Sequence, residues 1–180
     1  MNKDRQPRLG VDIGRVIIDG TAHPGGGDTA FFSGGEAVML ATPQVPGAIE
    51  TIARLSEWFG GRVWLVSKCG PNVQDRSRRW LAAHDFYART GVPAENLRFC
   101  RERKHKRRHC VQLGLTHFVD DRPDVHAAIT DVVPHRYLFG PQRTGVAVDA
   151  VRVPDWAAVE ALIVGQLRGI PLGDGTPGRR

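Results

Sequence analysis

An aspartate stands where an apolar, strand-like run meets a glycine turn, in Arg8-Leu-Gly-Val-Asp-Ile-Gly-Arg-Val-Ile-Ile18. Far along the chain a second apolar run, His117-Phe-Val-Asp-Asp-Arg122, also ends in carboxylates. If both runs are strands of one parallel sheet, Asp12, Asp120 and Asp121 meet at its carboxyl edge. Open α/β sheets bind ligands at that edge. Three carboxylates in one crevice repel one another unless a cation neutralises them, and hard oxygen donors favour Mg²⁺. The pattern therefore predicts a Mg²⁺ site.

The intervening sequence alternates between short apolar runs and stretches of helical periodicity. Strands are predicted over about 8–12, 62–66, 97–100, 117–119 and 135–138, and helices over 46–59, 72–84, 106–113, 123–129 and 154–167. In the first helix Ile49, Ile52, Leu55 and Phe59 share a face, and Gly60-Gly61 ends it. Such alternation implies an α/β fold, a Rossmann-like parallel sheet with helices on both faces. Residues 1–168 are expected to form one domain. A small flap or cap insertion is expected after the first strand, at about 20–40. It contains His23-Pro-Gly-Gly-Gly-Asp28 and the adjacent Phe31 and Phe32. Residues 169–180, rich in glycine, proline and charge, are expected to be disordered.

Charge and cysteine usage narrow the function classes. The net charge of +6 raises nucleic acid as a partner. Much of the excess sits in Arg101-Glu-Arg-Lys-His-Lys-Arg-Arg-His109, without interleaved aromatics to stack on bases, so nucleic acid is not favoured. His105 and His109 have a spacing that suits zinc, with Cys110 nearby, but the surrounding cations oppose a dication. Three cysteines, Cys69, Cys100 and Cys110, cannot all pair within one chain, and none forms a C-x-x-C. With no apolar run near the ~20 residues of a membrane span, a reducing cytoplasm is the expected setting. Oligomeric state has no signature here.

These motifs, in this order, resemble those of the haloacid dehalogenase-like (HAD) superfamily, and the resemblance spans most of the chain. It implies that Asp12 is a nucleophile attacking phosphorus, and that Ser67, at the end of Val63-Trp-Leu-Val-Ser-Lys-Cys-Gly70, binds the phosphoryl group. It implies a catalytic lysine at Lys106, with Lys104 a close competitor, and an acidic motif at Asp120-Asp121. Asp12, the Gly14 carbonyl, Asp120 and Asp121 are then the expected Mg²⁺ ligands, Asp121 more directly than Asp120. Ile13 and Gly14, through their backbone, and Ser67, Lys68, Lys104 and Arg122 are the expected substrate contacts. The reaction implied is hydrolysis of a small phosphorylated metabolite or nucleotide through an aspartyl-phosphate. The Phe-Val-Asp-Asp-Arg ending and small flap look most like deoxyribonucleotidase-type and polynucleotide 3′-phosphatase-type members.

The departure from that resemblance is Gly14. Phosphatases of the superfamily carry a second aspartate two residues after the nucleophile, which protonates the leaving oxygen and later activates water. Glycine does neither, and losing such assistance costs roughly 10²–10⁴-fold. A catalytically degenerate phosphate- or protein-binding module is therefore one alternative, and a nucleic-acid end-processing phosphatase, raised by the basic run 101–109, is the other. His23, Asp28 and Glu36 of the flap are candidate replacements, and Arg15, directly after Gly14, is either a contact for a substrate anion or an outward surface residue.

Overall fold

Runs rich in valine, leucine and aromatic residues form six strands in the computed structural model, which describes residues 6–22, 29–143, 145 and 147–169. They are β1 (Leu9–Val11), β2 (Val63–Lys68), β3 (Leu97–Cys100), β4 (His117–Asp120), β5 (His135–Phe139) and β6 (Val151–Val153). All neighbours pair in parallel, in the order β3-β2-β1-β4-β5-β6. The chain steps outward from β1 to β3, then returns to lay β4 on the other side of β1. That reversal opens a crevice beyond the carboxyl ends of β1 and β4. Val11 stands opposite both Leu65 and Val119, and the Asp12 N–H donates to the Val119 carbonyl at 2.9 Å. Asp12 is thereby held level with the end of β4.

Eight α-helices accompany the sheet among the described residues: α1 (Thr29–Ser33), α2 (Glu36–Leu40), α3 (Ala48–Trp58), α4 (Pro71–Ala83), α5 (Phe86–Thr90), α6 (Lys106–Leu113), α7 (Pro123–Ala128) and α8 (Trp156–Leu167). Alternation along the strands feeds two cores. Leu9, Val11, Leu65 and Val119 join Ile52 and Leu55 of α3 and Trp156, Val159 and Ile163 of α8. Val66 and Phe118 join Cys110 of α6 and Val125 of α7 on the other face. Both faces are covered, as a parallel sheet requires.

Gly10 belongs to this packing. A Cβ there would collide with the Phe118 ring and stand 2.6 Å from Leu115 Cδ1. Overpacking of this kind costs about 1–3 kcal/mol. Gly10→Ala is therefore expected to lower stability by that amount in urea unfolding; an unchanged midpoint would contradict the close approach.

The structure differs from the sequence expectation in a few places. Strand β2 runs on to Lys68, so Ser67 and Lys68 are strand residues. Helix α8 begins at Trp156, because the Asp155 carboxylate caps it by accepting the Ala158 N–H at 2.9 Å. Strand β6 and helix α5 were not anticipated. Within 20–40, the described residues form a 3-10 turn (Gly20–Ala22), α1 and α2. The Arg76 guanidinium of α4 ties this segment down by donating to the carbonyls of Phe31 and Gly34. His23, Asp28 and tail residues 170–180 lie outside the described residues. Among the described residues no helix is long and apolar enough to cross a membrane.

Candidate active site

Three elements, β1, β4 and α6, aim their ends at one crevice. The turn after β1 is tight, with the N–H groups of Ile17 and Ile18 donating to the Ile13 carbonyl at 2.8 and 3.0 Å. Trp156 of α8 fixes it from behind, its indole N–H donating to the Val16 carbonyl at 2.7 Å. Asp12 opens this turn and Asp120 ends β4. Lys106 heads α6, where the first turn of the helix faces the sheet.

These three side chains form a buried ionic cluster. Lys106 Nζ lies 2.8 Å from Asp12 Oδ1 and 2.6 Å from Asp120 Oδ2. Lys106 is 1% exposed and Asp120 wholly buried. Burial alone would push the Lys106 pKa down, but the two carboxylates outweigh it and hold the ammonium protonated far above neutral pH. Burial pushes the Asp120 carboxyl up, against the opposing pull of Lys106. Both Asp120 oxygens are engaged, since Oδ1 accepts the Arg122 N–H at 2.9 Å. His126, missed in the sequence, supports this strand end: its Nε2 lies 3.0 Å from the Asp120 carbonyl. Burial pushes His126 down to about 4, so the ring is neutral and donates Nε2–H to that carbonyl.

Asp12 Oδ1 differs from the Asp120 oxygens. It is buried and accepts no hydrogen bond of good geometry, although the Lys106 ammonium is close. Single oxygens of Asp12, Asp120 and Asp121 lie within 4.8 Å of one another. Among the described residues, this is the group of three His, Cys, Asp or Glu side chains so arranged. Burial, with the Asp12 charge adding to it, pushes Asp121 up to about 6, against Arg15, Lys106 and Arg122. An all-oxygen donor set of mutually repelling carboxylates suits Mg²⁺.

The cluster floors a cavity of about 380 Å³, within the usual range of ligand pockets. Asp12, Ile13, Gly14, Ser67, Lys68, Lys106, Asp121 and Arg122 line it. Asp120 does not, and stands behind Lys106. Lys104 does not either: it is an exposed residue of the turn before α6, paired with Glu102 at 2.9 Å. Glu36 also stays outside, paired with Arg79. Phe31 and Phe32 reach the cavity from the segment after β1. Arg103 and Ser77 line it unanticipated. Arg103 was hidden in a uniformly basic run, and Ser77 shares the inward face of α4 with Trp80 and Leu81.

No protein-family model matches this chain, and no curated protein matches it. Solved structures do. A D,D-heptose 1,7-bisphosphate phosphatase from B. bronchiseptica, complexed with magnesium and phosphate, is 17% identical at a TM-score of 0.59, covering 88% of this chain and 99% of that one. A haloacid dehalogenase-like family hydrolase from Xanthomonas campestris is 13% identical at 0.59, covering 91% and 97%. A haloacid dehalogenase-like hydrolase from Burkholderia xenovorans LB400 is 13% identical at 0.58, covering 91% and 99%. At these identities the likeness is one of fold.

Proposed function

We propose that this chain, which has the haloacid dehalogenase-like fold, is a Mg²⁺-dependent phosphohydrolase in which Asp12 attacks phosphorus of a small phosphorylated metabolite or nucleotide. The observation that carries this reading is the Asp12 carboxylate: buried, lining the cavity, beside a fixed ammonium, with one oxygen lacking an aligned donor. Attack on phosphorus gives an aspartyl-phosphate, which divides one hard displacement into two easier ones. Lys106 orients Asp12 through its contact at 2.8 Å, and its charge favours the transferring group. Ser67 and the backbone of Ile13 and Gly14 hold the non-bridging oxygens, while Lys68 and Arg122 receive the rest of the substrate. The heptose bisphosphate phosphatase of similar fold, complexed with magnesium and phosphate, supports both the reaction class and the cation.

Asp12, Asp121 and the Gly14 carbonyl would hold Mg²⁺, with Asp120 behind them steering Lys106. The cation supplies charge that lets two anions approach and that stabilises the transferring phosphoryl group. Its binding has a signature independent of turnover. Asp121 titrates near 6 in the fold against an ordinary value near 3.8, so the metal-free fold binds a proton that the unfolded chain lacks. This group's contribution to stability is present below about pH 4 and lost as pH rises through 6. Mg²⁺ reverses that trend where Asp121 is ionised. A concentration one hundred times the dissociation constant adds about 2.7 kcal/mol. The thermal midpoint at pH 8 is expected to rise with Mg²⁺, the rise fading below pH 6 and vanishing in Asp121→Asn. A midpoint indifferent to Mg²⁺ at pH 8 removes the cation from the account.

Nucleic acid remains the less favoured partner. The basic run spends Arg103 on Asp124, Lys104 on Glu102, Arg107 on Asp131 and Lys106 on the buried cluster. The free thiols of Cys69, Cys100 and Cys110 suit a reducing, cytoplasmic setting. The direct test of the reading is turnover in Asp12→Asn.

A further inference from the structure

Beside the nucleophile the cavity has a gap. A Cβ built on Gly14 meets nothing within 4 Å, so open space lies where a side chain two residues after Asp12 would stand. Among the described residues, cations outnumber carboxylates in the lining: Arg15, Lys68, Arg103, Lys106 and Arg122 against Asp12 and Asp121. Among the described lining residues there is no histidine and no further carboxylic acid. In the proposed reaction Asp12 is the attacking group and Asp121 a ligand of the cation. Arginine does not release its proton near neutrality, and stabilises a departing oxygen by charge and hydrogen bonding instead.

Two arginines are placed for that task. Arg15 follows Gly14 with φ of +62°, in the left-handed region that suits glycine. Backbone strain of this kind concentrates at functional sites. Arg122 has its Nε buried without a hydrogen bond, the nearest Asp124 oxygen lying 3.4 Å away. Both side chains border the cavity that Asp12 enters.

We infer that the substrate is a phosphoric anhydride, an acyl phosphate or a pyrophosphate-type compound, whose leaving group departs as an anion toward Arg15 and Arg122. The inference rests on Asp12 being the nucleophile of a phosphohydrolase. In the first step the Asp12 Oδ–P bond forms as the bond from phosphorus to the bridging oxygen breaks. The electron pair stays on that oxygen as carboxylate or phosphate, and no proton crosses. Water then attacks phosphorus, the Asp12 Oδ–P bond breaks, and both water protons leave with inorganic phosphate. An alkyl phosphate would instead expel an alkoxide, which needs a proton donor that the described lining residues do not supply.

The test measures kcat/KM of the full chain with Mg²⁺ on acetyl phosphate, inorganic pyrophosphate and glycerol 2-phosphate, corrected for spontaneous hydrolysis. The anhydrides are expected to exceed the alkyl ester by roughly 10²–10⁴-fold, the worth of general acid assistance. The faster anhydride identifies carboxylate or phosphate as the leaving group. Gly14→Asp is expected to narrow the gap by speeding the ester. Arg15→Gly, which the positive φ accommodates, is expected to lower anhydride turnover about 10-fold, the scale of a charged hydrogen bond. An ester turned over as fast as the anhydrides, or no anhydride turnover at all, overturns the inference; the wild-type ratio decides even where a variant folds poorly. Asp12-dependent hydrolysis without anhydride preference removes only the substrate class. Full rates in Asp12→Asn remove the phosphohydrolase itself.

Discussion

Asp12→Asn is expected to abolish the proposed phosphatase turnover, lowering kcat by roughly 10⁴-fold or more, the scale seen when a nucleophile is removed. The amide is nearly isosteric with the carboxylate, so the turn after β1 keeps its shape, but an amide is a poor nucleophile toward phosphorus. The structural effect is expected to be small for an electrostatic reason. Asp12 is one of three clustered carboxylates, and removing its charge relieves Asp121 and Asp120 of a repelling neighbour. Lys106 loses one anion at 2.8 Å but keeps the other at 2.6 Å. A folded, inactive Asp12→Asn protein is thus the expected result, checked by circular dichroism beside the phosphatase assay. Wild-type turnover in that variant would mean that another group attacks phosphorus.

Lys106→Met is expected to act on the fold itself, costing about 3–5 kcal/mol, the range for breaking a buried ion pair by removing one partner. Lys106 is 1% exposed, and among the described residues it is the cation paired with Asp120 Oδ2. Its removal leaves a fully buried carboxylate with only the Arg122 N–H for support. Against a typical stability of about 5–15 kcal/mol, the loss leaves a marginal protein. The mechanism makes a second prediction that a mere packing defect does not. Adding Asp120→Asn to Lys106→Met removes the stranded charge and restores part of the stability, so the two substitutions are strongly non-additive. Additive losses in denaturant titrations would contradict the pairing.

The carboxylates of the site were legible in the sequence because each apolar run stops on an acid. Asp12 follows Leu9-Gly-Val, and Asp120 follows Phe118-Val, so both ends of the crevice carry local marks. Choosing between Lys104 and Lys106 required more than the basic run. The structure puts Lys106 one helical turn before Cys110, on the face of α6 that turns inward, while Lys104 stays in the exposed turn. That i, i+4 relation was readable, but only once the helix start was known. Strand β6 had no such mark: Val151 and Arg152 are exposed, and the segment is a strand only because β5 pairs with it. Helix α5 is five residues long, too short for periodicity to declare itself. The placement of α1 over the cavity depends on Arg76 reaching carbonyls far away in sequence, a contact that leaves no local trace.

The buried cluster also bears on how the site withstands its own charge. Lys106 is positioned by Asp120, which is positioned in turn by the Arg122 N–H and, through its carbonyl, by neutral His126. Such a chain of supports holds a nucleophile and its ammonium neighbour in one geometry, which is what a preorganised site needs. Gly14 stands apart from that rigid frame, at the open side of the cavity. In the proposed reaction, the departure from the superfamily pattern therefore falls on the leaving-group side and not on Asp12.

Trapping of the covalent intermediate decides whether Asp12 attacks phosphorus. The full chain with Mg²⁺ is mixed with acetyl phosphate, quenched in acid within a turnover, and its intact mass and peptides are read by mass spectrometry. The account predicts one added phosphoryl group on the peptide bearing Asp12, at Asp12, and none in Asp12→Asn. Steady turnover with no phosphoryl group on the protein, or with the group on another residue, would contradict it.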